Sequence, residues 1–330
     1  MLGKRFSVKK SANVFFVLLF LCFCSCAESS NITNEKNNKI NPDYFSAGRF
    51  AATVIGKNSE IYFARNDGIY KQVNNETAKR IIKINSPDFL LIDGNRLYFT
   101  EHEQQETLYS VGLDGSNYRK DFSCSQFSDI KGIDLINYSV VNGVLYAANG
   151  QGAFSYCFEN KKLTRLVTEA GVSAYEVYGG NFYYIDHTAE TFTVYAINLS
   201  NNNQTVIIGE AKEKPKQYIY YDFWWLDGEI CFAQRNPNGL FCGKVGEKPK
   251  LIDARETEAV WKQNGKLYYI VKTDNGQNKL CCYSNKKSDT VFALQQLECD
   301  FSKGLRFINN DLYYNSGKQV KIYGDRQQDS

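Results

Sequence analysis

Two histidines in 330 residues, His102 and His187, leave little room for a His-rich metal centre. An excess of one charge is missing as well. The 39 Lys+Arg and 36 Asp+Glu give a formal +3, too weak to argue for a nucleic-acid partner. There is no Cys-X-X-Cys pair. No Gly-rich phosphate loop follows a strand and opens a helix, and no Asp-rich calcium loop occurs. No segment keeps a 3.6-residue apolar period, so very little helix is expected. What the chain does contain is aromatic: 23 Tyr, 22 Phe and 3 Trp, within a 43% apolar composition that excludes a wholly disordered chain. Its length allows one large domain or two small ones.

The N-terminus reads as an address. Lys4, Arg5, Lys9 and Lys10 carry no acidic neighbour, and Val14–Leu21 is a short apolar run ending at Cys22-Phe23-Cys24-Ser25-Cys26. This is the layout of a secretory signal, and it is short for a membrane span. The ending resembles the bacterial lipobox, with Ser25 before Cys26 and Phe23 where Leu is usual. The resemblance implies a signal peptide over 1–25, lipidation of Cys26, and anchoring to a membrane of the cell envelope on its extracytoplasmic side. Two or more acyl chains are enough for stable anchoring. Residues 26–42 are polar and Asn-rich, a flexible tether to a domain spanning 43–330. Removing 1–25 takes four basic residues and no acid, leaving 35 basic against 36 acidic. The positive charge is thus the export signal.

Within the domain one pattern recurs: a turn pair, then an aliphatic–aromatic strand core. The cores are Ile61-Tyr62-Phe63, Leu97-Tyr98-Phe99, Leu145-Tyr146-Ala147, Phe182-Tyr183-Tyr184, Ile230-Cys231-Phe232, Leu267-Tyr268-Tyr269 and Leu312-Tyr313-Tyr314. Six follow pairs that tolerate positive φ, such as Asp93-Gly94, Asn142-Gly143 and Gly179-Gly180. A β-rich stretch precedes each turn, a third strand follows each core, and a fourth follows in most copies. Core-to-core spacings of 36, 48, 37, 48, 37 and 45 residues give the period of a four-stranded propeller blade. The expected fold is all-β, a β-propeller of four-stranded antiparallel blades. Seven is the direct count, with six or eight as alternatives. The last copy ends near Tyr323 without a fourth strand, which residues 43–48 could supply by closing the ring.

Leu108-Tyr109-Ser110-Val111-Gly112-Leu113-Asp114-Gly115-Ser116-Asn117, after Leu97-Tyr98-Phe99-Thr100, resembles a blade of the bacterial propellers grouped as domain of unknown function 5050. Those are related to the YWTD propellers of low-density-lipoprotein receptor-related proteins. The Asp-Gly-Ser turn is intact in this repeat and degenerate elsewhere, as in Glu159-Asn160-Lys161-Lys162 and Asn198-Leu199-Ser200-Asn201. The resemblance implies the fold and transfers no catalytic residue.

Chemistry is thinly marked. Beyond Cys26 there are seven cysteines, an odd number, so at least one stays unpaired within the chain. They read as small buried apolar residues, or Cys231 and Cys242 form a bridge across one hairpin. Thr100-Glu101-His102 and Ile185-Asp186-His187 fall in equivalent loops of the second and fourth blades. Each places a carboxylate beside an imidazole, with no nucleophile spaced for a triad. Asp67, Glu101, Asp134, Asp186, Asp222, Asp274 and Asp300 are carboxylates free of turn roles, from which a hydrolase would have to draw a pair. Tyr218-Ile219-Tyr220-Tyr221-Asp222-Phe223-Trp224-Trp225 is either interblade packing or an aromatic platform at the channel mouth. Longer connectors around 121–134, 209–217 and 294–304 enter inner strands on the face that carries His102 and His187.

The functional expectation is a surface-anchored, non-catalytic propeller that binds an envelope protein or a glycan, with no cofactor and no metal. Its candidate surface is Tyr218, Tyr220, Tyr221, Trp224, Trp225, His102, Asp186 and His187. A carbohydrate hydrolase or lyase using loop carboxylates, and a structural subunit of an envelope complex, are the competing readings.

Overall fold

The computed structural model describes residues 54–323 except 58, 74–75, 131–133, 136–137, 150–151, 169–170, 187–193, 209–218, 227, 236–237, 245–246, 248, 264, 274–277, 295–304, 309–310 and 316–319. It is a β-propeller. Each of the first six repeats forms a four-stranded antiparallel sheet whose strands pair in chain order. The inner strands of blades 1 to 6 are Val54–Lys57, Pro87–Asp93, Tyr138–Val141, Val172–Tyr178, Ile219–Leu226 and Thr257–Gln263. The seventh repeat gives three strands, Leu305–Ile308, Asp311–Asn315 and Val320–Tyr323. Among the described residues the count of complete blades is therefore six, not seven. Residues 43–48, expected to close the ring, lie outside the described residues, as do the expected signal (1–25) and tether (26–42) with Cys26. The seventh sheet nonetheless packs on the inner strand of blade 1.

The core is divided into seams. Five buried clusters each draw on two consecutive blades, from Ile55 with Leu97 and Val111 in the first seam to Trp224 with Leu267 and Tyr283 in the fifth. This follows from alternation: a strand flanked by two blades buries both faces, so consecutive residues serve different seams. Helix is confined, among the described residues, to two single 3-10 turns in the connector after blade 2.

The turn chemistry is conserved in geometry where it is lost in sequence. In blade 2, Ser116 N and Oγ donate to Asp114 Oδ1 at 2.9 and 2.7 Å. In blade 4, Ser200 N and Oγ donate to Asn198 Oδ1 at 3.0 and 2.5 Å. In blade 3, Lys162 N donates to Asn160 Oδ1 at 3.0 Å. An Asx side chain makes the same turn in all three. Gly115 has φ 89°, and a Cβ there would lie 2.4 Å from the carbonyl oxygen of Ile81 in the outer strand of blade 1. Glycine is thus required by the packing of one blade's turn on its neighbour.

The seam between blades 5 and 6 holds two further features. Cys231 and Cys242 face each other across the second and third strands of blade 5 and are disulfide-bonded. Of the two sequence readings of this pair, the bridge is the one found. Cys124, Cys157, Cys281 and Cys282 are free. Beside them, the Asp253 carboxylate accepts from Arg255 N (3.1 Å), Nε (2.9 Å) and Nη2 (2.6 Å), and from Tyr269 OH (3.0 Å). Burial pushes this carboxyl up, but the Arg255 bonds and charge outweigh it and hold it below its ordinary 3.8.

Two outcomes are expected. Thiol alkylation of the denatured, unreduced protein should label Cys124, Cys157, Cys281 and Cys282 and spare Cys231 and Cys242; labelling of the latter pair would remove the bridge. The depressed Asp253 value means its stabilisation is full above the ordinary value near 3.8 and lost as pH falls through the folded value. Asp253→Asn should therefore destabilise the fold at neutral pH, and its deficit should shrink in denaturant melts below about pH 4. A deficit constant with pH would sink this assignment.

Candidate functional site

The inner strand of each sheet has one edge with no strand partner, so its outward N–H groups need other acceptors. Carboxylates on adjacent blades supply them. Asp93, at the end of the blade 2 inner strand, accepts from Asn142 N (3.3 Å) and Gly143 N (3.0 Å) in the turn of blade 3. Burial pushes the Asp93 carboxyl up, opposed by those two N–H groups. A residue expected to serve only its own turn thus ties two blades together. Lys57 Nζ of blade 1 donates to Gly94 O of blade 2 at 2.5 Å. Tyr175 OH of blade 4 donates to Tyr146 O of blade 3 at 3.0 Å.

The densest such junction joins blades 4, 5 and 6. Glu176 on the blade 4 inner strand accepts from Trp225 N of blade 5 at 2.5 Å through Oε2. Its Oε1 accepts from Lys262 Nζ of blade 6 at 2.9 Å. The side chains of Glu176 and Lys262 are 2% and 7% exposed, so the charges are desolvated and must satisfy each other. Lys262 Nζ also lies 5.3 Å from the ring centre of Tyr178.

Aromatic rings cover this pair. Trp225 stacks on Tyr183 at 5.0 Å between ring centres, and Tyr178 lies tilted against it at 6.0 Å. Stacking of this kind contributes about 0.5–1.5 kcal/mol per pair beyond burial. Tyr178 and Trp225 are partly exposed, whereas Tyr183 is buried. The result is an aromatic ledge with two accessible rings. Its position is set from below: Glu176 holds the Trp225 backbone and Lys262 sits on Tyr178.

The octapeptide ending at Trp225 is not one patch. Its described residues belong to the eight-residue inner strand Ile219–Leu226, which at about 3.3 Å per residue runs roughly 25 Å from one propeller face toward the other. Tyr220 pairs with Gln234 near the start, and Tyr221 is the extra residue of a β-bulge. Trp225 pairs with Ile230 beside the turn at the far end. Trp224, expected at the surface, is instead core: it is 5% exposed and packs in the seam between blades 5 and 6. Consecutive strand residues project to opposite sides, which separates it from Trp225.

Of the other expected residues, His102 and Asp186 sit on the opposite face. His102 is exposed in the tight turn between the second and third strands of blade 2, and its backbone N donates to Ser86 O at 3.0 Å. Burial pushes the neighbouring Asp88 carboxyl up, opposed by Phe89 N and by His102. Asp186 ends the second strand of blade 4, paired with Val172. Tyr218 and His187 lie outside the described residues. So do Asp274 and Asp300. Among the remaining loop carboxylates, Asp67 is engaged by Tyr70 OH (2.9 Å) and Arg80 Nη1 (2.7 Å). Burial, and then Glu103, push the Glu101 carboxyl up. No group of three His, Cys, Asp or Glu among the described residues is placed to hold a metal ion.

Sequence reasoning missed Glu176, Tyr178 and Lys262. The available signal was a Glu and a Lys set among aromatic and aliphatic neighbours of two inner strands, as Ala174-Tyr175-Glu176-Val177-Tyr178 and Val260-Trp261-Lys262, each shortly before a turn.

No family model matches the chain, and no curated protein does. Solved structures do. The N-terminal domain of Nup159 superposes with a TM-score of 0.55 at 10% identity, over 91% of this chain and 98% of that one. An acylaminoacyl peptidase from Pyrococcus horikoshii gives 0.57 at 10% identity, over 84% of this chain and 52% of that one. A chain of the mitotic checkpoint complex gives 0.54 at 8% identity, over 98% of both. These likenesses establish the propeller and nothing of its use, since a peptidase and a chain of a checkpoint complex share it.

Removing one partner of a buried pair leaves an uncompensated charge. Glu176→Gln, which still offers Trp225 N an acceptor, should cost about 3–5 kcal/mol, and Lys262→Met in addition should recover much of that. Urea melts of the two singles and the double check this; strictly additive losses would show that the pair is not coupled.

Proposed function

We propose that this protein is a lipid-anchored, extracytoplasmic binding propeller without catalytic activity, whose partner is an envelope protein or glycan. The observation that carries the binding claim is the Tyr178–Trp225 ledge, two partly exposed rings held over a buried Glu176–Lys262 pair at the inner edge of three blades. Partly exposed aromatics on a rigid support are the usual anchors of recognition surfaces. The anchoring claim rests on the lipobox-like ending at Cys26 and on the polar tether that follows. The Cys231–Cys242 bridge supports export, because such bridges persist in oxidising compartments. The blade motif around Asp114-Gly115-Ser116 favours a place among the propellers of domain of unknown function 5050.

The candidate surface moves accordingly. The ledge lies at the end of the inner strands that carries their turns, away from His102. Expression in a bacterial host with a labelled fatty acid should show label and membrane association that Cys26→Ser abolishes. Capture of a glycan or envelope protein by the full chain should fall at least tenfold with Trp225→Ala. An unlabelled wild-type chain would overturn the anchor, and Trp225-independent capture would overturn the site.

A further inference from the structure

The ledge has a neighbour on the other side of the same blade. A cavity of about 240 Å3 is lined by Leu226, Glu229, Tyr283, Asn285 and Lys286. Leu226 directly follows Trp225, and the two side chains go to opposite sides of blade 5. Leu226 and Glu229 end the first hairpin of blade 5, and Asn285 and Lys286 form the last hairpin turn of blade 6. In a four-stranded antiparallel blade those two turns share a face, the face of the ledge.

The chemistry of the lining is specific. Glu229 and Lys286 stand 3.7 Å apart, beyond a direct hydrogen bond but within reach of one bridging hydroxyl. Their opposite charges leave the cavity near neutral, which disfavours an anionic or cationic ligand. Asn285 and Lys286 have φ of 50° and 61°, a left-handed pair that fixes the direction of the turn. The volume is below the 300 Å3 or more of a drug-sized site and suits one small ring. Among the described residues the large exposed apolar side chains, Tyr118, Leu251 and Val291, do not line this cavity, so its polar chemistry is that of Glu229, Asn285 and Lys286.

We infer that the Trp225 ledge and the Glu229–Lys286 cavity are two subsites of one site for an unbranched, neutral oligosaccharide that passes over the end of blade 5. This deepens the proposed binding function and rests on it. One ring stacks on Trp225 and Tyr178. A second places its hydroxyls between Glu229, which accepts, and Lys286, which donates. The subsites are separated by about one sheet spacing, roughly 10 Å. A monosaccharide therefore fills one subsite, and a chain of two to three units is needed to fill both.

The test is calorimetric titration of the full lipidated chain, in a non-glycosidic detergent, with cello-, malto- and manno-oligosaccharides of one to six units. In one linkage series, affinity should rise at least tenfold from one to three units and then level off. Glu229→Gln and Lys286→Ala should erase that rise. Trp225→Ala should abolish binding at every length. Retention of the Cys231–Cys242 bridge and of the wild-type melt shows that each variant is folded. Affinity independent of length, or a rise untouched by Glu229→Gln and Lys286→Ala, overturns the two-subsite inference and leaves the ledge standing. Trp225-dependent capture of a protein with no saccharide binding overturns the saccharide assignment alone. Loss of all Trp225-dependent binding overturns both.

Discussion

A propeller blade can bury its two faces only against its neighbours. A single four-stranded sheet of this size leaves an apolar face on each side and two unpaired edges, so no blade here is stable by itself. Everything else follows from that dependence. The aromatic strand cores fill the seams, as Phe99 and Tyr109 do between blades 1 and 2 and Tyr175 and Phe182 do between blades 3 and 4. The outer edges are relieved by charge and short length. The inner edges are relieved by side chains that cross from one blade to the next.

Those crossings explain why polar residues occur where a packing argument alone would not put them. Asp93, Tyr175 and Glu176 each spend hydrogen-bonding capacity on the backbone of an adjacent blade. Glu176 goes further, because its second oxygen meets Lys262 from two blades away. A buried pair of this kind adds little net stability relative to apolar side chains, but it penalises every arrangement in which the partners do not meet. Its use here is to fix three inner strands relative to one another. The aromatic ledge inherits that rigidity, which is what a binding surface requires.

Much of the fold was legible in the strand cores and turn pairs. Tyr138–Val141 and Leu305–Ile308 were readable to the residue, and Gly179-Gly180 forms the positive-φ turn its composition implies. Repetition made this possible, since each copy reports on the others. Legibility stopped at three points. The seventh repeat has three strands among the described residues, so repeat count overstated the complete blades. Trp224 and Trp225 look equivalent as letters, and only the register of their strand sends one into the core and leaves the other at the ledge. The Cys231–Cys242 pairing needed the same register, which sets the two residues directly opposite.

By itself the sequence determined the class of the fold, the order of its strands, the places of its tight turns and the basic charge of its first ten residues. These depend on local patterns: alternation, left-handed turn residues and the period of the repeat. Only the tertiary structure decided which residues make a site. Glu176, Trp225 and Lys262 are separated by tens of residues, as are Leu226 and Lys286. They meet because each lies near the same end of a strand or hairpin in successive blades. Such proximity across blades is created by the radial packing of sheets and leaves no periodic trace along the chain.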